Sequence, residues 1–196
     1  TKTFLVDNRY IIGTGNMAHS TFAYNREFFV FWDNSDDLWV LEQIFSADFS
    51  DTPVFPVATN LVISPTDSRK KLETILSSAK KSIHLYAQTF SDAKIQAILL
   101  EKQSQGIPVY VCLANAEKVK DNARLSQMFA SKGIHVFIPK KPYIHAKAFM
   151  VDEEIFYFGS QNYTANSLDS NREIGILFAQ KPYAKTFLQK FSLDCQ

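Results

Sequence analysis

Along most of the chain, two patterns of apolar positions take turns. Runs such as "LVIS" from Leu61, "SIHLYAQ" from Ser82, "PVYVCLA" from Pro108, "IHVFI" from Ile134, "YIHAKAFMVD" from Tyr143, "IFYFGS" from Ile155 and "REIGILF" from Arg172 alternate or stay apolar over strand lengths. Between them, "DSRKKLETILSSAKK", "SDAKIQAILLEKQSQG", "EKVKDNARLSQMFASKG" and "PYAKTFLQKFSLD" carry the 3.6-residue spacing of helices. Asp67 or Ser68 can cap the first of these, and Gly106 and Gly133 close the next two. Earlier, "DDLWVLEQIFSADF" places Leu38, Leu41, Ile44, Phe45 and Phe49 on one helix face. "DTPVFPVATN" (51–60), with two prolines and several turn formers, reads as a linker.

Alternating strands and helices predict an α/β fold with a mixed, mostly parallel sheet flanked by helices. The "DEE" turn adds an antiparallel hairpin. Residues 61–196 are expected to form one complete unit, and 1–50 the C-terminal part of a preceding, pseudo-twofold-related unit.

That division comes from an internal repeat. "KTFLVDNRYIIGTGNMAHSTFAYNREFFVF" (Lys2–Phe31) is similar to "KAFMVDEEIFYFGSQNYTANSLDSNREIGILF" (Lys147–Phe178). Lys and Asp are five apart in both (Lys2–Asp7, Lys147–Asp152), Gly-x-x-Asn follows in both (Gly13–Asn16, Gly159–Asn162), and the Glu of "NRE" lies eleven beyond that Asn in both (Glu27, Glu173). The first copy lacks one residue between Asp7 and Gly13. The chain also starts inside a strand pattern without a methionine, so it is expected to be cut within its first motif.

Composition narrows the reading. The 196 residues include 17 Phe, 8 Tyr and 2 Trp, enough for a substantial core. A net charge of +1 lacks the bulk basic footprint of a duplex-DNA binder. Cys112 falls in an apolar strand and Cys195 beside the C-terminus, which suggests neither a disulfide framework nor a metal site and leans toward a reducing compartment. No apolar run is long enough to span a bilayer, and any signal or anchor is expected upstream.

The candidate chemistry lies in the repeat. On a strand, His145 and Lys147 share a face. Gly159, Ser160 and Asn162 can turn the backbone after a strand and offer donors to an anion. Glu173 can orient an imidazole and favour its protonated form. Each feature alone also fits a plain hairpin with a polar face; the combination is more specific.

The spacing His-x-Lys-x4-Asp-x6-Gly-Ser-x-Asn, followed by Glu, resembles the signature of the phospholipase D superfamily, including its cardiolipin-synthase-like members. The first copy matches at Lys2, Asp7, Gly13, Thr14, Asn16 and Glu27, with Thr14 in place of serine. The resemblance implies two units whose motifs meet in one pocket. One histidine attacks phosphorus to form a phosphohistidine, the other acts as acid and base, and neither metal nor cofactor is needed. It assigns Lys2, Lys147, Asn16 and Asn162 to the phosphate oxygens, with Thr14 and Ser160 as secondary donors. Glu27 and Glu173 orient histidines, and Asp7, Asp152, Gly13 and Gly159 serve structure. His145 takes the acid–base role. The nucleophilic histidine is expected just before Thr1, supplied by a missing N-terminal segment or a separate chain; His19, His84 and His135 are poor substitutes.

The expected substrate is a phospholipid or another phosphodiester, cleaved or transferred to an alcohol; peripheral membrane contact and a membrane-associated or secreted parent protein are compatible with this, and the sequence leaves the compartment open. A metal-independent nuclease of the same fold and a catalytically incomplete binding fragment are the alternatives.

Overall fold

A computed structural model describes residues 1–54 and 59–196, so residues 55–58 of the expected linker lie outside the described part. The chain begins with β1 (Thr3–Val6), β2 (Arg9–Gly13), a short helix α1 (His19–Ala23), β3 (Asn25–Arg26), β4 (Phe29–Trp32) and α2 (Ser35–Phe49). It continues with β5 (Leu61–Ser64), α3 (Ser68–Ser77), β6 (Ile83–Ala87), α4 (Ala93–Ser104), β7 (Val109–Leu113), α5 (Asp121–Ser131) and β8 (His135–Phe137). It ends with β9 (Tyr143–Ile144), β10 (Ala148–Val151), β11 (Ile155–Gly159), a short helix α6 (Ala165–Asp169), β12 (Glu173–Ala179) and α7 (Ala184–Asp194).

The main sheet has seven strands in the order β5-β12-β11-β10-β6-β7-β8. Strands β6, β7 and β8 are mutually parallel, and the remaining pairings are antiparallel. Five strands therefore share one direction and β10 and β12 oppose it, which gives the expected mixed α/β sheet. A smaller antiparallel sheet, β1-β2-β4, comes from the first copy of the repeat.

Side-chain alternation divides the core in two. Ala148, Met150, Phe156, Phe158, Leu61 and Ile63 face a core shared with β2, β4, α2 and α7. Phe149, Val151, Tyr157 and Val62 face the opposite way, under α3, α4 and α5. The shared core is rich in rings: Phe28 lies 5.0 Å from Phe158, 5.4 Å from Tyr86 and 5.7 Å from Phe187, centroid to centroid. Burying one such side chain stabilises the fold by roughly 1.5–3 kcal/mol.

The helix ends follow the sequence with one exception. Gly106 and Gly133 terminate α4 and α5 at φ +82° and +85°, where a Cβ would be strained. Asp92 caps α4 by accepting from the Lys94 and Ile95 amides, and Asn34 caps α2 by accepting from Asp37 N. Asp67 instead turns back to the Ile63 amide at 2.8 Å and makes no side-chain cap to α3. The residue missing from the first copy is accounted for in the hairpin turns. Two residues join Val6 to Arg9 and three join Val151 to Ile155. Asp7 and Asp152 both take positive φ there, 53° and 57°.

The two cysteines are bonded to each other, with Cα atoms 5.8 Å apart and a sequence separation of 83. This corrects the expectation of unpaired thiols. The bond ties β7 to the end of α7, and folding alone brings together positions that spacing could not pair. The lean toward a reducing compartment goes with it.

Candidate active site

The segment expected as one strand from Tyr143 to Asp152 is broken at His145–Lys147. Before the break, β9 leaves the main sheet and runs parallel to β3 of the first copy, pairing Tyr143 with Asn25 and Ile144 with Arg26. The His145 amide donates to Arg26 O at 3.4 Å. After the break, β10 rejoins the main sheet, and Lys147 O accepts from Gly159 N at 3.2 Å. His145 and Lys147 therefore sit on the bridge between the two copies.

The bridge decides which carboxylate meets which histidine. His145 Nδ1 lies 2.7 Å from Oε1 of Glu27, the glutamate of the other copy. Thr14 Oγ1 donates to Glu27 Oε2 at 2.7 Å and Asn25 Nδ2 to Oε1 at 3.1 Å. The Glu27 side chain is only 3% exposed. Burial alone would raise its pKa, but the bonds from His145, Thr14 and Asn25 outweigh burial and hold the carboxyl below its usual range. A carboxylate on Nδ1 fixes the ring and leaves Nε2 as the nitrogen that can exchange a proton.

Glu173 is not on His145. It accepts from Ser160 Oγ, and that oxygen in turn accepts from Ile174 N at 3.2 Å. The first copy repeats the arrangement: Glu27 accepts from Thr14, whose oxygen accepts from Phe28 N at 2.9 Å. Thr14 and Ser160 each give their single hydroxyl proton to a glutamate, so they position carboxylates here rather than act as the free anion donors expected from sequence.

Lys147 is 1% exposed, and its Nζ donates to His145 O at 2.6 Å while lying 3.2 Å from Nδ1 of the same residue. Burial, with Lys2 nearby, lowers its pKa to about 7, against the opposing pull of Glu27 and Glu173. The Lys2 backbone is held by Gly13 N, which donates to its carbonyl at 2.9 Å. Asn162 is half-buried with its Oδ1 unpartnered among the described residues, whereas Asn16 is exposed. The residues brought together are thus His145, Lys147, Lys2, Glu27 and Glu173.

The expected structural residues occupy supporting places. The Asp152 carboxylate accepts from the Lys80, Lys81 and Ser82 amides at 3.0, 2.7 and 3.1 Å. Gly159 faces Gly175 across β11 and β12, and a Cβ on Gly159 would meet the Tyr157 hydroxyl and come within 2.8 Å of Gly175 Cα. Gly13 lies against the Phe29 ring. Asp7 is exposed in its turn. His19 is exposed beside Tyr24, and His84 and His135 stack on either face of Tyr110.

Two further pairs hold the copies together. Arg26 grips Asp194 with Nε and Nη2 at 2.5 and 2.7 Å, and Tyr86 donates to the same carboxylate at 2.9 Å. Reciprocally, Arg172 contacts Asp48 at 3.0 Å. Each arginine of "NRE" therefore binds the last helix of the other copy. The repeat carried the signal, because Asp48 and Asp194 each follow their copy's arginine by twenty-two residues.

With this geometry in view, the family model described as "Cardiolipin synthase, PLD-like domain" matches residues 72–195, more than half of the chain. The chain belongs to the phospholipase D superfamily. A phospholipase D of Rickettsia bellii is 29% identical over 128 residues, covering 65% of this chain and 63% of that protein. A human mitochondrial cardiolipin hydrolase is 25% identical over 122 residues, covering 62% of this chain and 48% of that protein. These matches therefore span less than two thirds of either relative. Among solved structures, the phospholipase D family member Nuc from Salmonella typhimurium superposes with a TM-score of 0.62 at 24% identity, over 68% of this chain and 91% of its own. A phosphatidylserine synthase of Haemophilus influenzae reaches 0.75 at 11% identity, over 96% of this chain and 60% of its own. Both likenesses concern the fold of this phospholipase D-like chain.

Proposed function

We propose that this protein hydrolyses or transfers the phosphodiester bonds of phospholipids through a phosphohistidine intermediate, with His145 as acid and base. The observation that carries this reading is the contact between His145 and Glu27 across the two copies, with Lys147 buried beside it. Glu173 stands on Ser160 as Glu27 stands on Thr14, and Glu27 holds a histidine. Glu173 is thus suited to hold the matching histidine, expected just ahead of Thr1. In this reading residues 1–50 are the C-terminal part of one unit and residues 61–196 the whole of the next.

The nucleophilic histidine forms a bond to phosphorus as the bond to the leaving oxygen breaks, and His145 Nε2 gives that oxygen its proton. His145 then takes a proton from water or an alcohol, whose oxygen attacks phosphorus and releases the histidine. Lys2, Lys147, Asn16 and Asn162 supply charge and donors to the phosphate oxygens where negative charge develops. Lys147, easily discharged when the site is empty, becomes charged when a phosphate arrives.

The test is release or exchange of headgroup from phosphatidylcholine or phosphatidylglycerol vesicles by the full-length gene product. Turnover abolished by His145→Asn supports the reading. No turnover on vesicles together with turnover on oligonucleotides overturns it.

A further inference from the structure

Beside His145 lies a second cluster of side chains that the proposed chemistry does not use. Strands β6 and β7 run parallel and end at Ala87 and Leu113. Ligands of open α/β sheets bind beyond such carboxyl ends. Gln88 follows β6, and the turn that carries Lys118 follows β7. Tyr143 joins them from β9. Its ring centre lies 6.5 Å from that of His145, its hydroxyl lies 3.5 Å from Gln88 Nε2, and the Lys118 ammonium lies 4.6 Å from the ring centre.

The backbone under this cluster is fixed. Asn122, fully buried, donates from Nδ2 to Gln88 O at 2.9 Å and to Ala114 O at 3.0 Å, so it ties the ends of both strands together. The Lys118 and Val119 amides donate to Asn115 O at 3.1 Å, and the Glu117 amide donates to Asn115 Oδ1 at 2.8 Å. Tyr143 N donates to Tyr24 O at 3.1 Å. The turn also carries Glu117 and Lys120, both exposed, but the charge over the ring is that of Lys118.

We infer that Gln88, Lys118 and Tyr143 form the subsite for the leaving alcohol, and that it selects uncharged, hydroxyl-bearing headgroups over trimethylammonium ones. The leaving oxygen takes its proton from His145 and stands in line with the attacking histidine, on the far side of phosphorus. The leaving alcohol therefore extends past His145, where Tyr143 is one ring away. A free aromatic face there attracts a headgroup cation. This face already carries an ammonium, so a choline headgroup meets an occupied ring and a like charge. Glycerol hydroxyls instead find the Gln88 amide, the Tyr143 hydroxyl and the Lys118 ammonium as partners. The inference rests on the phospholipid reading above and adds which phospholipids are taken.

The test is hydrolysis by the full-length gene product of dihexanoyl phosphatidylglycerol and dihexanoyl phosphatidylcholine, both below their micellar concentrations so that no lipid surface contributes charge. The glycerol lipid should be preferred in kcat/KM by at least about tenfold. Lys118→Met, at an exposed position, should raise kcat/KM on the choline lipid by about tenfold, and Lys118→Glu should raise it further. A disturbed fold would produce no such gain. Adding Tyr143→Leu to Lys118→Met should erase the gain, because the freed ring face is gone. Turnover of both lipids with a preference that the Lys118 variants leave unchanged, a gain that survives Tyr143→Leu, or a native preference for choline overturns the subsite alone. Turnover of oligonucleotides and of neither lipid overturns the phospholipid reading and the subsite with it.

Discussion

His145 Nδ1 lies 2.7 Å from Glu27 Oε1, so the imidazole of one copy is oriented by the carboxylate of the other. The expected consequence is catalytic more than structural. Glu27→Gln keeps the shape and removes the charged acceptor that orients the ring. In the full-length protein kcat should fall about 100-fold, with KM within about threefold. Steady-state kinetics on phosphatidylglycerol vesicles check this, and an equal loss in the binding term would contradict it.

Lys147 is fully buried and its pKa is lowered to about 7. In the unfolded chain it titrates near 10.4, so between these values the unfolded state binds more protons and stability rises with pH. Urea unfolding should show a gain of order 3–5 kcal/mol from this group between about pH 7 and 10.4, with no contribution to the slope below pH 7. Lys147→Met should abolish the rise.

A phosphate placed beside Lys147 reverses the effect by favouring the charged amine. Binding of inorganic phosphate at pH 8 should therefore take up close to one proton. Calorimetry in two buffers of different ionisation enthalpy measures this, and buffer-independent heat would contradict it.

The cross-copy pairs differ in burial, and so should their value. The Asp194 side chain is 3% exposed and also holds Tyr86, whereas Asp48 is 39% exposed. Asp194→Asn should cost about 2–3 kcal/mol, because it leaves Arg26 half-buried without its charge partner. Asp48→Asn should cost under about 1 kcal/mol. Equilibrium unfolding of the two variants checks the asymmetry.

The disulfide between Cys112 and Cys195 closes a long loop and anchors the helix that carries Asp194. Chain-entropy arguments assign it about 4–5 kcal/mol. Reduction, or the Cys112→Ser and Cys195→Ser double variant, should lower the unfolding midpoint by a matching amount.

Much of this architecture was legible from sequence, for identifiable reasons. Apolar periodicity located the strands of the main sheet, and Gly106 and Gly133 marked helix ends because only glycine tolerates those φ values easily. The repeat identified His145, Lys147, Glu27 and Glu173 as related positions. Which glutamate meets His145 was not legible, since that depends on β9 leaving its sheet to pair with β3. Non-local pairing also hid the disulfide. Thr14 and Ser160 were read as donors to phosphate because spacing does not reveal that their protons are already given to carboxylates.

His145 is the proposed acid and base of a two-histidine site. The most direct test is to mix full-length His145→Asn protein with a phosphatidyl p-nitrophenol labelled at phosphorus, whose leaving group departs without needing a proton, and quench in alkali, where phosphohistidine survives. Loss of the base should strand the intermediate, so label should accumulate on a peptide ahead of Thr1 while the native protein carries little. Full turnover by the variant, or no labelled protein from it, would contradict the account.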